Sequence, residues 1–204
     1  GYAEALLYSS DGETWRSLRI MKQKVQSYFA VPIDSFPRGY WELLFPQPYW
    51  AVLQSNSQKQ GLDPYLVASL IRQESEFNAS AISYANAWGL MQLLPKVGSE
   101  LARKERVRPY RTSYLLNPEV NLKLGTVYFR QLMDEFKGQP EYALAAYNAG
   151  DDRVKMWLAN GPYASLPEFV ESIPFTQTRE YVEAILRNRE MYRRLYAAPS
   201  SKSA

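Results

Sequence analysis

The sequence contains no cysteine and no histidine. Without cysteine, disulfides, thiolate nucleophiles and cysteine-ligated zinc are excluded. Without histidine, Ser-His-Asp triads and imidazole metal sites go as well. Proton transfer therefore falls to Glu, Asp, Lys or Tyr side chains. Long apolar runs are also lacking. Nothing approaches the roughly 18 residues of a membrane-spanning segment, so no membrane span is expected. The opening Gly1–Leu7 has no basic segment ahead of an apolar stretch, and no signal peptide is expected in this chain. The absence of cysteine fits an exported protein that avoids stray disulfides. A surplus of either charge is small: 24 Lys and Arg face 21 Asp and Glu, a net +3 that is too little to indicate nucleic acid.

What is present is globular in composition. The 204 residues are 46% hydrophobic and 22% charged, which fits one full domain with a smaller piece attached. Aromatics are plentiful at 14%, with 16 Tyr and 5 Trp. Their flat apolar faces and polar edges suit sugar stacking, and equally suit core packing.

Between Asp11 and Ala30 apolar residues recur at helical spacing. Val31 to Trp50 carries Pro32, Pro37, Pro46 and Pro48 and reads as an extended connector with its aromatics pinned to a neighbour. Residues 1–50 are thus expected to form a small helical, proline-rich linker. Helical signals then dominate. Tyr49 to Gln60 ends at Gly61, and Asp63-Pro64 and Asn117-Pro118 each pair an N-cap with proline at the first helical position. Pro140–Ala149, Asp152–Ala159 and Thr178–Tyr196 complete the set. Strands with a two-residue period are absent, so the class is mainly α. Residues 51–196 are the expected main domain and 197–204 a flexible tail. The basic run Arg103–Arg108 reads as a solvated helix face.

One carboxylate is out of place. On a helical projection with Leu66 at zero, Leu70 falls at about 40°, Val67 at about 100° and Ile71 at about 140°. Glu74 falls at about 80°, inside that apolar arc, whereas Glu76 falls at about 280° and reads as facing water. A Glu on a buried stripe is costly unless paired or protonated. Three readings remain open: an internal ion pair, a carboxylate snorkelling to water at a helix end, or an acid kept protonated near neutral pH by desolvation.

The residues after Glu74 are small and polar from Asn78 to Gly89, followed by Gly89-Leu90-Met91-Gln92-Leu93-Leu94-Pro95. Together with Ile71-Arg72-Gln73-Glu74-Ser75 and Ser83, this segment resembles the catalytic region of the soluble lytic murein transglycosylases. Two further blocks follow in the same order as in that family. They are Ala145-Ala146-Tyr147-Asn148-Ala149-Gly150, and Glu171-Ser172-Ile173-Pro174-Phe175 with Thr178-Arg179-Glu180-Tyr181-Val182. The Pro-aromatic stretch through Trp50 resembles the family's linker.

The resemblance implies a mainly α, goose-type lysozyme-like fold and a longer parent chain with an N-terminal helical superhelix. It implies Glu74 as the sole catalytic acid/base, with Ser83, Met91, Gln92, Leu94, Tyr147, Asn148, Glu171 and Tyr181 lining the glycan groove. It further implies a periplasmic enzyme acting on peptidoglycan strands and muropeptides, with no metal and no cofactor. Two departures stand out. Asp151-Asp152 replaces the usual Pro-Gly, and Leu94 stands where methionine is common. Met91 and Leu94 read equally as packing residues, Tyr147 as a core tyrosine, and Glu171 as a turn cap. A hydrolase on the same fold would need a second carboxylate, for which Asp151, Asp152 and Glu171 are the candidates. A glycan-binding module without chemistry is the third reading.

Overall fold

The structure, a computed structural model, is described for residues 1–197. Eleven α-helices are present among them. They are α1 (Tyr2–Ser10), α2 (Thr14–Lys24), α3 (Arg38–Leu44), α4 (Trp50–Lys59), α5 (Pro64–Glu74), α6 (Pro95–Lys104), α7 (Pro118–Glu135), α8 (Pro140–Ala149), α9 (Asp151–Ala159), α10 (Leu166–Ser172) and α11 (Thr176–Tyr196). The only β-type pairing among the described residues is a pair of isolated bridges around Trp88. The mainly α expectation holds, and no described helix is long and apolar enough to cross a membrane.

Helix starts follow local chemistry. Asp63 Oδ1 accepts from the Tyr65 N–H at 3.0 Å and Asn117 Oδ1 from the Val120 N–H at 3.1 Å, each ahead of a proline. Such a cap contributes about 1 kcal/mol. Asp63 does a second job, because Arg193 Nη2 donates to its Oδ2 at 2.8 Å. That contact pins the start of α5 to the end of α11, and contacts further along bring the end of α5 to the start of α11, so the two helices pack antiparallel.

The Val31–Trp50 stretch differs from the expected extended connector. Pro37 sits at the N-cap of α3, where a missing N–H costs nothing, so it starts a helix instead of preventing one. Trp41, Leu44 and Phe45 are fully buried and share one continuous core with Leu18, Met21 and the helices α5, α8 and α11. At about 1.5–3 kcal/mol per large apolar side chain, these residues weld the N-terminal segment to the rest. Helices α1 and α10 have no counterpart in the sequence reading. The basic run at the end of α6 is solvated as expected, with Arg103, Lys104, Arg106 and Arg108 exposed. Of the expected tail, residues 198–204 lie outside the described residues.

Arg72 fastens the same junction by hydrogen bonding. Buried on α5, it donates from Nε to Leu44 O at 3.0 Å, from Nη1 to Asn188 Oδ1 at 3.2 Å and from Nη2 to Tyr28 Oη at 3.0 Å. Its guanidinium also lies 4.7 Å from the centre of the Phe45 ring. A buried cation is tolerable only when its donors are met, and here all three nitrogens are.

Candidate active site

Glu74 is the last residue of α5. Helical geometry stops there: Ser75 is the C-cap, and Glu76 and Phe77 take left-handed backbone angles, φ 52° and 65°. The helical projection therefore does not extend to Glu76, and the expectation that it faces water is overturned. Its carboxylate is largely enclosed, receiving Arg19 Nε at 2.5 Å and Lys22 Nζ at 2.7 Å from α2. Burial works to raise the Glu76 carboxyl, but the hydrogen bonds from Lys22 and Arg19 outweigh it and hold the group below its ordinary value.

The loop after α5 is locked onto the helices beneath it. Ser75 Oγ donates to Leu90 O at 2.8 Å. Asn121, fully buried on α7, donates to Trp88 O and Leu115 O and accepts from the Met91 N–H at 2.8 Å. Gly89 is required where it stands: its φ is +75°, and a Cβ there would fall 2.0 Å from Leu115 O. The loop thereby carries Ser83 and Gln92 to one side of Glu74.

Two clefts meet at Glu74, sharing Gln73 as well. One, of about 460 Å³, lies between α2 and the loop and is lined by Arg19, Lys22, Ser83 and Gln92 among others. The other, of about 530 Å³, lies against α11 and is lined by Asn148, Gln177, Glu180, Tyr181, Glu183 and Arg187. Glu74 itself is half-buried. Desolvation lifts its carboxyl from 4.5 to about 7, opposed by a hydrogen bond donated from the Tyr181 hydroxyl. Of the open readings, the ion pair falls because no cation is paired with Glu74 among the described residues, and the desolvated carboxyl bonded to Tyr181 favours the protonatable acid over one that snorkels to water. Tyr181 stays a phenol: burial, then the neighbouring Glu74 charge, pushes its own ionisation well above the ordinary range.

Other anticipated residues divide by position. Ser83, Gln92, Asn148 and Tyr181 line the clefts that contain Glu74. Asn148 is held there by Thr178 Oγ1, which donates to its Oδ1 at 2.8 Å. Met91, Leu94, Tyr147 and Glu171 line neither cleft. Met91 is fully buried in a notch left by Gly125, where an added Cβ would sit 2.3 Å from its Sδ. Its carbonyl accepts from Tyr147 Oη at 2.6 Å, so the single tyrosine proton is already engaged. The Tyr147 ring packs on Tyr128 and Phe129. Leu94 is 46% exposed at the start of α6. Glu171 borders a smaller cleft with Glu141 and Glu183, which adjoins the α11-side cleft at Glu183.

The candidate second carboxylates do not fit either. Asp151 is bound to Lys155 at 2.7 Å, and Asp151, Asp152 and Glu171 all lie outside the clefts holding Glu74. Glu180 and Glu183 are inside one and were missed, as was Arg187. The signal was available, because Gln177, Glu180, Ala184 and Arg187 recur at helical spacing along one side of α11, with Tyr181 at its edge. Among the described residues no cluster of three His, Cys, Asp or Glu side chains is placed to hold a metal ion.

Comparison with known proteins gives the family and the fold. The family model described as the transglycosylase SLT domain matches residues 51–165, more than half of the chain. The chain belongs to that family. It is 34% identical over 151 residues to the soluble lytic murein transglycosylase of Salmonella typhimurium, covering 73% of this chain and 23% of that protein. Against the Escherichia coli K12 protein of the same name it is 33% identical, with the same coverage. The fold matches an inactive Glu-to-Gln mutant of the lytic transglycosylase Slt from Pseudomonas aeruginosa at a TM-score of 0.85 and 31% identity, covering 97% of this chain and 30% of that one. It also matches the 70-kDa soluble lytic transglycosylase in complex with bulgecin A at 0.80 and 26% identity, covering 98% and 31%. This SLT-family chain thus spans about a quarter of the length of these curated relatives.

Proposed function

We propose that this chain is the catalytic unit of a lytic murein transglycosylase of the cell envelope, cleaving the β-1,4 bond between N-acetylmuramic acid and N-acetylglucosamine in peptidoglycan. In this reading residues 51–196 carry the chemistry, residues 1–50 brace it, and both belong to a longer periplasmic protein. The observation that carries the proposal is a single carboxyl at the junction of two clefts, set near 7 and so available in both protonation states at neutral pH.

The protonated Glu74 donates its proton to the glycosidic oxygen as the bond to C1 breaks, through an oxocarbenium-like state. The resulting carboxylate takes the proton of the muramic acid C6 hydroxyl, whose oxygen attacks C1 and closes a 1,6-anhydro ring. Because the attacking hydroxyl is already tethered to the reacting sugar, no water has to be held and no second carboxylate has to activate one. Tyr181 fixes the carboxyl rotamer and favours its ionised form. Ser83, Gln92 and Asn148 offer hydroxyl and amide groups to sugar substituents on the two sides of Glu74. Met91 and Tyr147 act from behind, holding the wall of the groove, while Leu94 and Glu171 lie outside the two clefts.

The test is mass spectrometry of fragments released from purified peptidoglycan by wild type and by Glu74→Gln. Muropeptides one water lighter than hydrolysis products, absent with the variant, are expected. Full-mass reducing products would make the chain a hydrolase and turn attention to Glu180 and Glu183. Retention of muropeptides without time-dependent release would make it a binding module.

A further inference from the structure

The two clefts that meet at Glu74 differ in charge, and the difference comes from outside the matched family region. On the α2 side the ionisable lining groups besides Glu74 are Arg19, Lys22, Arg72 and Glu76. Arg72 has all three nitrogens engaged by buried oxygens, and Glu76 is engaged by Arg19 and Lys22. Two cations thus share one carboxylate, which leaves a positive surplus on this wall. On the α11 side the corresponding groups are Glu180, Glu183 and Arg187, a negative surplus.

The two α2 cations also keep donors in reserve. Arg19 uses Nε on Glu76 and lays its guanidinium 5.1 Å from the centre of the Trp15 ring. Both contacts orient the planar fork while its two terminal nitrogens stay free for a bidentate partner. Lys22 spends one of three N–H bonds on Glu76. Both side chains remain open to solvent, 58% and 40% exposed. An arginine held by an ion pair and a ring face, beside a half-exposed lysine, is a preorganised carboxylate receptor.

We propose that Arg19 and Lys22 bind a carboxylate of the peptide carried by the muramic acid residues of the substrate, so that helix α2 supplies peptide recognition to the groove. The proposal rests on the peptidoglycan reading above and deepens it. The polarity across Glu74 then fixes which side of the groove the anionic part of the peptide occupies.

Calorimetric titration of the Glu74→Gln protein tests it, with one disaccharide tetrapeptide in two forms, its carboxylates free or amidated. The free form is expected to bind about 10-fold more tightly, as two partly exposed charge contacts supply. Adding Arg19→Gln and Lys22→Gln is expected to erase that preference. Glu76→Gln separates binding from bracing: it removes the ion pair but keeps an oxygen acceptor for Arg19 and Lys22, while α2 stays seated through buried Leu18 and Met21, so the preference persists. Equal affinity for the two forms, binding of neither, a preference that survives loss of both cations, or its loss with Glu76→Gln alone would each overturn the proposal. Failure of the parent reading looks different. A preference that behaves as expected, with no anhydro products from wild type, removes the reaction and keeps the carboxylate site.

Discussion

Replacing Tyr181 by phenylalanine deletes one oxygen and keeps the ring, so it reaches Glu74 through a single hydrogen bond. Two opposed effects set the Glu74 carboxyl near 7: burial raises it, and donation from Tyr181 to the ionised form lowers it. A hydrogen bond to a charged group contributes about 1.5–3 kcal/mol, and a tenfold change in a proton equilibrium corresponds to about 1.4 kcal/mol. Losing the bond therefore moves the titration of Glu74 upward by about one to two pH units. The sign of the effect on activity follows from the role. The first step needs the protonated acid, so kcat/KM falls as pH rises through this group. In the Tyr181→Phe protein that fall moves from near 7 to about 8–9, while the plateau drops about 10-fold because the carboxyl rotamer is no longer held. Tyr181 itself does not contribute to the limb, since its hydroxyl ionises well above the ordinary tyrosine range. The assay is the initial rate of anhydromuropeptide release between about pH 5 and 9.5, at substrate below KM. A limb that stays in place, or moves to lower pH, refutes the assignment of Tyr181 as the group that favours the ionised acid.

Two further outcomes concern stability. The folded-state titration of Glu74, about 7, lies above its unfolded value of 4.5. Both states are protonated below the lower value, so burial costs nothing there. The cost grows as pH rises between the two and is complete above the higher one. Glu74→Gln should therefore be close to neutral in thermal melts near pH 4 and stabilising by about 2–3 kcal/mol near pH 8, and a difference that does not change with pH would contradict this. Arg72→Met leaves Leu44 O, Tyr28 Oη and Asn188 Oδ1 without their donor and should cost about 3 kcal/mol, or roughly 6–12 °C in Tm for a chain of this size. Limited proteolysis should then begin between Val25 and Phe36, and a variant melting with wild type would show that those bonds carry little.

Much of the fold was legible because its signals are local. Asp63-Pro64 and Asn117-Pro118 start helices by satisfying or omitting the first N–H groups, and the structure begins α5 and α7 at those prolines. Glu74 was legible because a carboxylate inside an apolar arc violates the pattern around it. What failed was information that sits in tertiary contacts. Nothing in Glu76-Phe77 announces two left-handed residues, which more often fall to glycine or asparagine, so the periodicity was carried past the end of the helix. Met91 lies in a motif full of groove residues, yet its side chain follows the gap opposite Gly125, on a helix well downstream in the chain. Asn121 reads as an ordinary polar position of α7 until the loop that it holds is folded over it.

Arg72, Glu74 and Glu76 tie the N-terminal segment to the proposed site. Two positions apart on a helix point to nearly opposite sides, so Arg72 and Glu74 leave α5 in different directions, although atoms of both border the α2-side cleft. Arg72 turns to the buried junction and holds Tyr28 and Leu44, while Glu74 opens to the groove. The left-handed turn then frees Glu76 from the helical projection and lets it reach Arg19 and Lys22. Glu74, the proposed acid, is thus bracketed by two side chains that both grip the N-terminal segment. An acid near the end of a helix would ordinarily sit where the chain frays and the local field disfavours negative charge. Here the end of the helix is anchored on either side, and desolvation raises the Glu74 carboxyl. The proposed chemistry asks for one carboxyl, held still and able to take either protonation state, and placing it at the close of a helix braced from the neighbouring segment provides that.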